Sequence, residues 1–129
     1  MALPIYLTLH EAIRIHERLI EETGGASGIR DAGLIESALL RPQTGYYQDI
    51  IEEAAALWES LAMNHGFVDG NKRVAFACVD IFLALNGFEI TAGNKTLERF
   101  ILHHLENRTF TKDNLDAWLR ENTVHAGKP

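Results

Sequence analysis

A chain of 129 residues, 47% of them hydrophobic, fits one domain with a core of ordinary size, and nothing in it calls for a second. With 12 basic against 18 acidic residues the formal charge is -6, which excludes non-specific DNA or RNA binding as the main role and leaves any anion to a local basic cluster. The single cysteine, Cys78, excludes an internal disulfide and a thiolate zinc site.

Met1 to Leu9 has neither the charged nor the long apolar region of a signal peptide. The longest apolar run, near Val74 to Leu85, carries Asp80 and is too short to span a bilayer, so a cytoplasmic protein without membrane contact is expected. Thr8-Leu9-His10-Glu11 reads as a capping box, and Ile13, His16, Leu19 and Ile20 continue a helical stripe until Gly24-Gly25 ends it. His16 shows no partner spacing. Gly24 to Arg30 reads as a flexible connector, since no strand precedes it and its glycines fit no phosphate-loop pattern. Asp31 caps a short second helix carrying Leu34, Ile35, Ala38 and Leu39, which Pro42 closes. Arg30-Asp31 is then a turn and cap, with the alternative that Arg30 reaches a site. Arg41 to Gln48, with two tyrosines, is a loop or a flap.

Asp49-Ile50-Ile51-Glu52 forms a second capping box, after which Ile50, Ala54, Leu57, Trp58, Leu61, Ala62 and His65 share one face. On periodicity His65 faces the same interior as Trp58. A turn follows, then a helix over about 71–86 with Asn71 as N-cap and Gly87 beyond its end. Val74, Ala75, Cys78, Ile81, Phe82 and Leu85 mark one side; Phe76, Ala77, Val79, Leu83 and Ala84 make the other nearly as apolar. This predicts a central helix sheathed by the rest, with Cys78 an inert core thiol. Phe88 to Thr91 is β-prone but too short to establish a sheet. Thr96 to Leu105 is a fifth helix with Leu97, Phe100, Ile101 and Leu105 inward, and Thr111 caps a sixth carrying Leu115, Trp118 and Leu119. Thr123 to Pro129 reads as a frayed tail. About six helices without a strand series predict an all-α fold.

Chemistry concentrates in His65-Gly-Phe-Val-Asp-Gly-Asn-Lys-Arg73. His65 is of the type that takes a proton near neutral pH. Asp69 is a hard oxygen ligand of the kind Mg²⁺ uses together with phosphate. Gly70 lets the backbone approach a ligand, Asn71 can hold a phosphate or the loop itself, and the helix N-terminus behind them attracts anions. Asp-Gly-Asn is also an ordinary turn, and a lone histidine ending an apolar stripe is more often a core or cap residue. Lys72 and Arg73 argue the other way, because cations at a helix N-terminus are disfavoured unless an anion compensates them. Adjacent His103 and His104 point apart on a helix and make a poor metal pair.

The pattern His65, Phe67, Asp69, Gly70, Asn71, Lys72, Arg73 also resembles the active-site motif of the death-on-curing (Doc) toxins, a branch of the Fic fold. Gly28 to Asp31 and Gly33 to Leu39, followed by Arg41-Pro42-Gln43, resemble that family's upstream segment. The resemblance implies a Fic-type bundle and transfer from ATP with Mg²⁺. His65 would deprotonate an acceptor hydroxyl, and Asp69 would hold the metal or orient the loop. Gly70, Asn71, Lys72 and Arg73 would bind phosphates, and Phe67 would anchor the loop. It further implies a small antitoxin whose C-terminal segment folds on the toxin, and a threonine of elongation factor Tu as target. The adenylyl-transferring branch carries a second glycine and a second arginine where this chain has Lys72 and Phe76. That departure favours phosphate transfer over transfer of the nucleotide.

Overall fold

The helices begin where short polar side chains meet backbone N–H groups. In the computed structural model, which describes residues 3–126, α1 (Leu9–Thr23) starts from the Thr8–Glu11 box with both reciprocal bonds formed. It stops at Gly24, whose φ of 84° suits glycine. α2 (Ala32–Leu40) is capped by the Asp31 carboxylate on the Leu34 N–H. Pro42 does not end it abruptly. The chain tightens into a 3-10 turn, Arg41–Thr44, where the buried proline's missing N–H leaves nothing unpaired.

α3 (Ile50–Met63) starts at Asp49, whose side chain accepts from the Glu52 N–H at 2.9 Å. The returning bond from Glu52 goes to the N–H of Gln48, so the expected box is displaced by one residue. Arg41 binds Tyr47 and Glu59, and Lys112 lies over the Tyr47 ring, which fastens the segment after α2 to α3 and α6. α4 (Asn71–Leu85), α5 (Asn94–Glu106) and α6 (Lys112–Glu121) complete six α-helices among the described residues. The fold is all-α, and among the described residues no helix is long and apolar enough to cross a membrane.

A two-stranded sheet is the element that local pattern did not resolve. β1 (Phe88–Ile90) pairs antiparallel with β2 (Thr123–His125), Phe88 opposite His125 and Ile90 opposite Thr123. The start of the expected frayed tail is therefore a strand, held by the ladder and by the Phe88 and His125 rings 4.6 Å apart; residues 127–129 of that tail lie outside the described residues.

The most enclosed helix is α3 rather than α4. Ala54, Ala55, Ala56, Trp58 and Ala62 are wholly buried, because α2, α4 and α6 all pack around α3. Its alanines let α4 come close through Val74, Ala75, Cys78 and Val79. Trp58 is the hub, with Phe76, Phe100, Phe110 and Trp118 rings 5.5 to 6.0 Å away. Burial pushes the Cys78 thiol up to about 12, so it is inert. The far side of α4, with Asp80, Ile81 and Leu85, stays exposed despite its composition. This arrangement points the end of α3 and the start of α4 at the end of α1.

Candidate active site

α3 stops at Met63, and the chain crosses 64–70 to reach α4. Because the helix ends two residues short, His65 does not extend the buried stripe as periodicity predicts; it is exposed, with φ 54° in the left-handed region. The carbonyls left over at this helix end are taken by one short segment. Arg30 Nε donates to the His65 oxygen at 2.6 Å and its Nη2 to the Asn64 oxygen at 3.3 Å. The backbone N–H groups of Arg30 and Asp31 both donate to the Gly66 oxygen, at 2.8 and 2.9 Å. Gly66 is buried so tightly that a Cβ there would collide with the Ile35 side chain.

Phe67 is buried to 2% exposure and stacks on the His16 imidazole with ring centroids 3.9 Å apart. His16, itself 2% exposed, lies with Nε2 2.7 Å from the main-chain oxygen of Asp69, so Nε2 carries the proton and donates it. Asn71 does not cap α4. Its amide accepts from the Phe67 N–H and donates to the Phe67 oxygen, both at 3.0 Å, because those buried backbone groups need partners. Gly70, at φ 77°, takes the N-cap position, and no side chain caps the helix. The first N–H groups of α4 are thus left for a ligand.

The segment from Gly24 to Arg30, expected as a flexible connector, is tied to this loop. The Ala26 N–H donates to Asp69 Oδ2 at 3.0 Å, the Val68 N–H to the Gly28 oxygen at 3.1 Å, and Ile29 bridges to Phe67. A Cβ at Gly25 would fall 2.6 Å from Asp69 Oδ2, so the close approach requires glycine. Asp69 Oδ1 accepts from the Gly70 N–H at 2.7 Å. The Ala26 and Gly70 donors, with Arg73 and His16 adding to them, hold the Asp69 carboxyl below the usual carboxylate range.

Arg73 binds the Thr23 hydroxyl and donates to the Gly24 oxygen at 3.0 Å, closing the C-terminus of α1, and lies 3.9 Å from Asp69 Oδ1. Its neighbour Lys72 pairs with no carboxylate among the described residues. Lys72, Arg73 and Phe76 line one end of a cleft of about 430 Å³ that α5 closes through Leu97 and Ile101. Phe76 packs on Trp58, as an apolar residue at that position must.

The structure therefore joins Asp69, Gly70 and Arg73 to the end of α1, turns Lys72 and Arg73 toward the cleft beside α5, and leaves His65 exposed on the preceding turn, with Phe67 and Asn71 buried beneath the loop. Among the described residues no cluster of three His, Cys, Asp or Glu side chains could hold a metal. Asp69, half exposed but bonded through both oxygens, fits one protein ligand to a Mg²⁺ otherwise held by phosphate. His104 packs on Phe100 and bonds Thr109. Sequence reasoning missed His16, Gly25 and Gly66. For His16 the one available signal was its place in the buried stripe of α1.

A profile described as the Fic/DOC family matches residues 6–83. The chain is 47% identical over 74 residues to a protein of Mycolicibacterium smegmatis named Toxin Doc, covering 54% of this chain and 57% of that relative. It is 32% identical over 89 residues to Protein kinase doc of Escherichia phage P1, covering 66% of this chain and 71% of the phage protein. The chain thus spans little more than half the length of the mycobacterial relative.

Proposed function

The chain belongs to the Fic/DOC family, and from that premise we propose that it is a toxin that moves the terminal phosphate of ATP onto a protein hydroxyl. The observation that carries this reading is the uncapped N-terminus of α4 beside an unpaired Lys72. Backbone N–H groups there hold phosphate oxygens, and the Lys72 ammonium offsets the charge that builds on them. The exposed His65 imidazole takes the acceptor's proton as its oxygen bonds to the γ-phosphorus. The bond from that phosphorus to the β-γ bridging oxygen breaks, and ADP leaves. Mg²⁺ arriving with ATP would neutralise phosphate charge, with Asp69 as its protein ligand.

Phe76 supports phosphate transfer over adenylyl transfer, since an apolar ring on Trp58 supplies no second cation for the α-phosphate. The name of the phage relative points the same way. The proposed acceptor is a threonine of elongation factor Tu, whose modification in the cytoplasm would arrest translation. The proposed partner is a small antitoxin whose C-terminal segment folds as a helix. The groove between α1 and α4 suits it, with Ile15, Leu19, Ala77, Ile81 and Leu85 along the floor and charged residues at the rim.

Expression in bacterial cells tests the toxin reading. Growth stops with the native chain and continues with His65→Ala or Lys72→Ala; arrest that survives both changes would contradict an enzymatic toxin.

A further inference from the structure

We propose that Arg30 is a positioning residue for His65, holding the left-handed turn that presents the imidazole to the acceptor. This rests on the reading above, in which His65 takes the acceptor's proton. Three carbonyls in succession, those of Asn64, His65 and Gly66, are bound by Arg30 and its following N–H. The guanidinium spans the first two and the backbone takes the third. His65, between them, has φ 54°, a left-handed conformation uncommon for a residue with a side chain, and the bonds to its flanking carbonyls hold it there. The backbone bonds to Gly66 do not depend on the Arg30 side chain, so Arg30→Ala or Arg30→Lys loosens only the turn at Asn64 and His65. The Arg30 side chain is otherwise exposed, and no carboxylate among the described residues pairs with it. Its two bonds to the helix end are therefore its role.

The test compares Arg30→Ala and Arg30→Lys with the native chain in ATP affinity, in kcat and KM for phosphate transfer, and in the HN–Hα coupling and imidazole resonances of His65. In Arg30→Ala the His65 coupling and ring signals shift, kcat falls on the order of 100-fold, and KM for ATP and the melting temperature hold. Millimolar guanidinium ion restores part of the lost kcat. Arg30→Lys, with one donor group in place of the fork, lies between. Unchanged His65 signals in Arg30→Ala, or a kcat loss matched by an equal loss of ATP affinity, would overturn the proposal. Should Arg30→Ala fail to fold, Arg30→Lys decides: full kcat overturns the clamp, and lowered kcat at constant KM supports it. If the native chain transfers phosphate to no acceptor, the functional reading fails while the His65 signals still decide the clamp.

Discussion

His16 donates from Nε2 to the main-chain oxygen of Asp69 at 2.7 Å, joining the middle of α1 to a loop that lies 53 positions later in the chain. The same ring stacks on Phe67, so one buried side chain fixes both the anchor and the acid of the site.

Replacing His16 with alanine removes a buried ring and strands a carbonyl, and should cost roughly 3 kcal/mol in urea unfolding. His16→Phe keeps the stack and loses only the bond, for about 1–3 kcal/mol. A His16→Phe variant as stable as the native chain would show that the bond to Asp69 contributes nothing.

Lys72 and Arg73 separate by role. Lys72→Ala should leave the melting temperature unchanged and lower kcat for transfer roughly 100-fold, because it forms no ion pair among the described residues. Arg73→Ala should lower ATP affinity and also cost about 1 kcal/mol in unfolding, since it releases Thr23 and Gly24 at the end of α1. Equal effects of the two changes on stability would refute this division.

Much of the fold was legible because helix starts are local chemistry. Thr8, Asp31, Asp49 and Thr111 each cap the helix assigned to them, and Gly24 ends α1. The nine residues of the loop announced themselves by two cations at a helix start. What was hidden depends on contacts distant in sequence. β2 exists only because β1 lies beside it, and Asn71 leaves its capping place because the Phe67 peptide is buried. Gly25 and Gly66 read as loop glycines, and the close neighbours that require them, Asp69 and Ile35, become visible only in three dimensions. His65 faces outward because α3 ends early, which an apolar stripe cannot report.

A pH effect follows from Asp49, which caps α3 and accepts two bonds from the Arg120 guanidinium at 2.9 and 3.0 Å. Arg120 first, then the backbone donors, holds this carboxyl below its ordinary 3.8. A lowered folded value means its stabilisation is complete above 3.8 and is lost as pH falls through the folded value. Melting temperatures measured from pH 6 down to about pH 3 should decline less steeply in Asp49→Asn than in the native chain. The half-exposed pair limits the effect to about 1 kcal/mol. Parallel curves would remove Asp49 from the account.

The exposed face of α4 provides a test of the partner. Ile81, 37% exposed, lies on the floor of the α1–α4 groove. Ile81→Asp should weaken binding of the antitoxin's C-terminal peptide by at least 10-fold in calorimetry, since a charge would be buried under the peptide. Phosphate transfer should stay at the native rate. Undiminished peptide binding would mean that the antitoxin lies elsewhere.

The central claim is the transfer of the terminal phosphate, and labelled nucleotide tests it most directly. The protein is incubated with Mg²⁺, elongation factor Tu and ATP labelled at either the γ or the α phosphate. The account predicts label on the acceptor from γ-labelled ATP alone, absent with His65→Ala. Label carried over from α-labelled ATP alone would contradict it and identify an adenylyl transferase.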